Sequence, residues 1–229
     1  MLYFNGVIMK SKFFYKEFYK RNLPHYQPEN GVFFITTCLA NSLPPKKLKE
    51  IKEKKNDFEQ MLKQVSKSQK IIVLQEFHNR YFKDFDDFLD SQRNNCWLSQ
   101  ADLRNIIIEN LFYWNNLKYY LFAFCIMPNH VHIILKPKLK SSCSYESLSD
   151  IMFSMKSYTA NECNKILDRN GSFWLHESYD HYIRNADEFD YYVDYVQQNP
   201  VKAGLIKKWS DWKGNWIAEN YLTYLNLPG

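Results

Sequence analysis

The chain has 229 residues, with 30 lysines and arginines against 25 acids, a formal net charge of +5 and a sequence pI near 8.8. That length holds one sizeable domain with additions or two small ones, with ample chain for a hydrophobic core. Five widely spaced cysteines with no Cys-x-x-Cys exclude a zinc ribbon and a secreted disulfide framework, and fit a reducing cytoplasm. The first 24 residues mix charges and aromatics after a short apolar start, which matches neither a signal peptide nor a membrane span. The charge excess is local: residues 46–70 hold nine lysines against four acids, equal to the whole surplus. The chain also has 17 tyrosines, 17 phenylalanines and 6 tryptophans. Aromatics interleaved with cations suit single-stranded nucleic acid, although core packing accounts for most such rings.

In chain order, residues 32–39 (VFFITTCL) read as a strand after Pro28 and Gly31. Beyond Pro44-Pro45, Leu48, Ile51, Phe58, Met61, Leu62 and Val65 recur at helical spacing, predicting a long lysine-rich amphipathic helix over 46–70. Residues 71–98 are ambiguous. Ser99 reads as an N-cap for a helix over 100–115, with Leu103, Ile106, Ile107, Asn110 and Leu111 on one face. A hairpin follows: a strand over 119–127, a turn at Pro128-Asn129, and a strand over 130–136 stopped by Pro137. A helix over 145–167 ends at Asn170-Gly171, and a strand over 178–184 comes next. Strand, helix, strand, strand, helix, strand is the split βαβ order of an α+β, ferredoxin-like fold (βαββαβ), whose antiparallel sheet leaves one face free for a site. Residues 185–199 predict a further helix, opened by acidic residues and stopped by Pro200. The domain is expected over 21–216, between an extension at 1–20 and a tail at 217–229.

His130 and His132 flank a single valine in the third strand. Strand side chains alternate, so both imidazoles project from one face roughly 7 Å apart while Val131, Ile133 and Leu135 take the other. Two imidazoles can share an ion, and an added oxygen ligand favours Mg²⁺ or Mn²⁺. A half-buried strand with two exposed histidines carries the same letters. On the last helix, Tyr195 and Asn199 lie one turn apart on one face, with Tyr192 a turn earlier on nearly that face. If that helix covers the sheet near the histidines, two imidazoles, an amide oxygen and a phenol surround one ion, a constellation suited to phosphodiester cleavage. Tyr191 and Tyr192 on the same helix, and Tyr179 and Tyr182 on the preceding strand, are competing phenols.

The blocks LPHYQPENGVFFITTCLANSLP, LFAFCIMPNHVHIIL, MKSYTANECNK, GSFWLHESYDHYIR and YVQQNPVKAGL resemble the REP-associated tyrosine transposases of the HUH single-strand transposase superfamily, over about residues 21–216. The resemblance implies that His130, Val131 and His132 are the His-hydrophobic-His motif, that Tyr195 is the nucleophile, and that Asn199 is the third metal ligand. It implies an endonuclease and transposase that cleaves and rejoins single-stranded DNA near hairpins through a 5′-phosphotyrosine, with Mg²⁺ or Mn²⁺. It also implies that Lys156, Arg184 and Lys202, which lie in matching blocks, hold DNA phosphates. No Walker motif is present, in keeping with strand transfer that conserves the phosphodiester bond. Trp174-Leu175 departs from the family's frequent Trp-Gln, and residues 211–216 (DWKGNW) from its Trp-Pro-Trp-Ser-Ser. Both a monomer and a homodimer fit. The competing functions are a hairpin-binding protein that no longer cleaves and an unrelated zinc phosphoesterase. His25, His78, His176 and His181 have no ligand spacing and read as packing or surface residues.

Overall fold

A computed structural model describes residues 18–20, 24–66, 73, 84–92, 95–141 and 144–219. Two short pairs, β1 (Phe18–Lys20) with β2 (Pro24–Tyr26) and β6 (Leu139–Ser141) with β7 (Ser144–Tyr145), are separate from a central sheet built by alternating apolar residues. Strand β3 (Val32–Cys38) pairs antiparallel with β5 (His130–Pro137), which pairs with β4 (Tyr119–Ile126), and β8 (Tyr179–Ile183) closes the other side of β3. The full sheet order is β8-β3-β5-β4-β9, where β9 is Asn215–Ile217. Without β9, this is the order of a ferredoxin-like sheet, so the expected α+β arrangement is present with one added edge strand.

The fifth strand escaped sequence reading because three residues give too short an alternation to register. Tertiary contacts hold it. Trp216 stacks on Phe124 at 5.8 Å, the Ile126 N–H donates to the Gly214 carbonyl at 2.8 Å, and Trp212 Nε1 donates to the Ile126 carbonyl at 3.0 Å. At Gly214 the chains approach so closely that a Cβ would lie 2.6 Å from the Ile126 oxygen. The departure at 211–216 thus forms a sheet edge, and β9 straddles the expected boundary at residue 216.

The two sheet faces are both covered. Phe33, Ile35, Val131, Ile133 and Leu135 pack against α3 (Ala101–Trp114) and α4 (Leu148–Ile166), the two helices of the split βαβ motif. Phe34, Phe122, Cys125 and Ile134 pack on the opposite side against α5 (Ala186–Lys202) and a helical segment at residues 84–91, here α2. The face that the split βαβ motif leaves free is covered by α5 and α2, which buries the histidines that point into it. A bulge between Leu121 and Ala123 resets the alternation of β4, so that Phe122 and Ala123 both serve the α5 side.

Helix boundaries differ from expectation at informative places. The lysine-rich helix α1 spans Pro45–Gln64, and the expected end at 70 lies outside the described residues. Helix α3 starts after Gln100 with no side-chain cap, because Ser99 belongs to a 3₁₀ turn, whereas Ser147 caps α4 by accepting from the Asp150 N–H. Strand β5 ends on Pro137 itself, one residue beyond the expected end. Most consequential, α5 runs through Pro200 to Lys202. Proline removes one donor, and the last turn still closes through Ala203 N–H to the Asn199 carbonyl at 2.9 Å and Gly204 N–H to the Val201 carbonyl at 3.0 Å. The extra turn places Lys202 on the face of Tyr195 and Asn199. No helix among the described residues is long and apolar enough to cross a membrane.

Candidate active site

Strand β5 delivers both histidines to the α5 side of the sheet, and both are fully buried. Their rings tilt towards one another, so that the two Nε2 atoms converge to 3.0 Å rather than the 7 Å of the backbone repeat. The remaining nitrogens explain this convergence. His130 Nδ1 lies 2.6 Å from Asn129 Oδ1, and the Asn129 amide is oriented by Nδ2 donating to the Leu89 carbonyl at 3.0 Å. An amide oxygen only accepts, so His130 carries its hydrogen on Nδ1 and turns a lone pair inward at Nε2. His132 Nδ1 meets Thr36 Oγ1 at 2.8 Å, and its Nε2 faces the centre, towards His130 and Asp86. Orientation of a metal-binding imidazole through its far nitrogen is the usual device at histidine metal sites.

Helix α2 brings a carboxylate that sequence reading missed. Asp86 is 1% exposed, with Oδ1 3.3 Å from His132 Nε2 and 4.0 Å from His130 Nε2. Asp90, one turn on, places Oδ1 3.8 Å from His130 Nε2. Asp86, His130 and His132 form a group whose candidate ligand atoms all lie within 4.8 Å of one another. The residues fit a cation. Both Asp86 oxygens and Asn199 Oδ1 are buried with no hydrogen bond of good geometry, and each is an oxygen donor. Burial, reinforced by the charge of Lys202, lowers the His130 pKa to about 3; burial, His130 and Lys202 hold His132 well below its ordinary range. Both are therefore neutral, ligand-competent imidazoles at pH 7. Burial and then Asp90 push Asp86 well above the usual carboxylate range, partly offset by Lys202 and the Asn199 amide. A divalent ion reverses that balance by supplying the charge a buried carboxylate lacks.

Helix α5 brings the phenol. The Tyr195 ring lies 5.6 Å from the His132 ring and edge-on to Phe34 at 5.9 Å, and Asn199 Nδ2 approaches its hydroxyl at 3.4 Å. Lys202 Nζ stands 5.4 Å from the same ring. The competing tyrosines are placed otherwise. Tyr192 is buried and stacked on Phe34 at 4.5 Å, Tyr179 is buried in the same layer, Tyr182 packs on Phe33 on the far face, and Tyr191 is exposed. His130, His132, Tyr195 and Asn199 are thus brought together as expected.

The three expected phosphate-binding cations all have partners within the chain. Lys156 Nζ donates to the carbonyls of Leu175, His176 and Glu177 at 2.8, 3.2 and 3.1 Å, holding the loop that leads into β8. Its ammonium group is thus engaged by three backbone carbonyls. Arg184 forks onto Glu188, and Lys202 pairs with Asp87 at 2.8 Å; both remain part-exposed. Lys156→Met is expected to cost about 1–3 kcal/mol in urea unfolding while leaving the salt dependence of DNA binding unchanged. Leu175 packs at the margin of the α5 core, where the family often has glutamine. His181 Nε2 is bonded to Glu188 at 2.9 Å and the exposed His176 to Glu177 at 3.2 Å, so neither is a ligand of the cluster. The His25 side chain and His78 lie outside the described residues.

Residues 92–199 match the family model described as transposase IS200 like. A protein of Haemophilus influenzae, provisionally described as a REP-associated tyrosine transposase, is 24% identical over 95 residues, 39% of this chain and 54% of that one. The REP-associated tyrosine transposase of Escherichia coli K12 is 42% identical over 41 residues, 18% of this chain and 25% of that one. The chain is similar to REP-associated tyrosine transposases over part of its length. Its alignments span about half the length of the first of these relatives and a quarter of the second. A solved REP-associated tyrosine transposase bound to a REP hairpin superposes with a TM-score of 0.52 over 92% of this chain and 88% of that one, at 19% identity, a likeness of fold. The segment matched by the family model contains His130, His132, Tyr195 and Asn199, whereas Asp86 lies before it. Asp86 had a faint sequence signal. The run DFDDFLD at 84–90 places Asp86 and Asp90 four apart with Phe85 and Leu89 on a neighbouring stripe, but nothing local ties it to the histidines.

Proposed function

We propose that this protein is a metal-dependent single-stranded DNA endonuclease and transposase that cleaves and rejoins DNA near hairpins through a 5′-phosphotyrosine. The observation that carries this reading is the contact of Tyr195 with both halves of the site: its ring lies against His132 and its hydroxyl against the Asn199 amide. His130, His132 and Asn199 are proposed to hold Mg²⁺ or Mn²⁺. The bound ion would supply charge that polarises the scissile phosphate and stabilises negative charge developing there. Tyr195 attacks phosphorus, the bond from phosphorus to the 3′ oxygen breaks, and the phenolic proton is balanced by the proton gained on the released 3′-hydroxyl. Attack by a 3′-hydroxyl on the phosphotyrosine reverses the sequence and rejoins a strand without ATP. Phe34 and His132 hold the phenol ring, so its oxygen is positioned before DNA arrives. Lys202, part-exposed beside Tyr195, and Arg184 are the cations proposed to meet DNA phosphates, each shared with its carboxylate.

A labelled hairpin oligonucleotide with a single-stranded flank, incubated with protein and Mn²⁺, is expected to yield an adduct that survives denaturant, carries phosphotyrosine at Tyr195, and is absent in EDTA. Tight hairpin binding with no adduct under any divalent ion would replace this reading with that of a hairpin-binding protein that does not cleave.

A further inference from the structure

We infer that Asp86 is a direct ligand of the ion held by His130 and His132, completing a set of two imidazoles and a carboxylate. The inference rests on the reading that the histidine pair holds a metal, and it adds a ligand from outside the segment that matches the transposase family.

The distances suit a shared ion. His130 Nε2 and His132 Nε2 are separated by 3.0 Å, His132 Nε2 and Asp86 Oδ1 by 3.3 Å, and His130 Nε2 and Asp86 Oδ1 by 4.0 Å. Atoms bound about 2.1 Å from one ion lie about 3.0–4.2 Å apart, so the three donors already stand at ligand spacing.

Charge and burial point the same way. Asp86 is as thoroughly buried as the imidazoles, and both its oxygens are without a well-formed hydrogen bond. A carboxylate in that position, facing two imidazole nitrogens, has a cation as its natural partner. The supporting structure is rigid on each side. Phe85 and Leu89 are buried beneath α2, the Leu89 carbonyl orients the amide that orients His130, and Asp87 pairs with Lys202 at the end of α5. Helix α2 therefore links the histidine strand and the tyrosine helix, and the ion is expected to strengthen that link.

Metal binding without DNA tests the proposal independently of cleavage. Mn²⁺ titration followed by electron paramagnetic resonance is expected to show one site in the full chain, weakened at least about tenfold in Asp86→Asn and unchanged in Asp84→Asn, whose carboxylate pairs with Lys54 at the surface. Asp86→Cys is expected to gain Cd²⁺ affinity and a thiolate-to-cadmium ultraviolet band above that of the parent protein, because only a directly bound sulfur produces it. Hydrogen exchange over residues 84–91 is expected to slow on adding Mn²⁺ to the parent protein and not to Asp86→Asn. Equal Mn²⁺ affinity in the parent and Asp86→Asn, or no additional Cd²⁺ band in Asp86→Cys, overturns the assignment. Should Asp86→Asn fail to fold, the cadmium band alone decides. Absence of any Mn²⁺ site in the parent protein would instead remove the metal reading on which the proposed function stands.

Discussion

Tyr195→Phe is expected to abolish the covalent protein–DNA adduct while leaving hairpin affinity within about threefold of the parent protein. The reasoning is atomic. The substitution removes one oxygen and keeps the ring, so the contacts with His132, Phe34 and Lys202 persist. The hydrogen bond that the hydroxyl accepts from Asn199 Nδ2 is long, 3.4 Å, so folding stability should change by less than about 1 kcal/mol. A change confined to the nucleophile therefore separates chemistry from binding. Denaturing gels measure the adduct and fluorescence anisotropy measures hairpin binding. Undiminished adduct formation in Tyr195→Phe would transfer the nucleophile's role to another residue, with exposed Tyr191 the next phenol on the same helix.

His132→Ala is expected to reduce cleavage at least about 1,000-fold, equivalent to about 4 kcal/mol of transition-state stabilisation, and to eliminate detectable Mn²⁺ binding. His132 is the histidine closest to both Asp86 and Tyr195, so its loss opens the cluster at its shared corner. The substitution also has a structural cost. It leaves Thr36 Oγ1 buried without its imidazole and empties space beside Phe34, for which a loss of about 1–3 kcal/mol is expected. His132→Asn distinguishes the two effects, because a shorter amide can meet Thr36 without reaching the position of Nε2. It is expected to recover most of the stability and none of the metal binding. Calorimetry in the absence of DNA reads both quantities. Cleavage by His132→Asn at the parent rate would exclude a metal role for this residue.

Periodicity is a local property of a chain, and the features that depend on it were legible. Alternation along 130–136 placed both histidines on one face, and a four-residue interval placed Tyr195 and Asn199 together, because strand and helix repeats follow from backbone geometry alone. The order of elements was readable for the same reason: each strand or helix of the split βαβ motif carries its own apolar pattern. Pro200 misled because a rule about helix interiors loses force in a last turn that Ala203 and Gly204 can still close.

What only the tertiary structure decided is convergence. Asp86 reaches the histidines because Phe85 and Leu89 dock α2 on the sheet, and no interval in the sequence encodes that approach. Thr36 and Asn129 looked like strand and turn residues until folding set them against the outer nitrogens of His132 and His130. Lys156 looked like a phosphate ligand until three carbonyls claimed its ammonium group. The histidine spacing and the tyrosine helix were therefore written in the sequence, as products of short-range geometry. The carboxylate beside them, and which cations remain for DNA, depend on packing between distant segments, and only the fold brings those together.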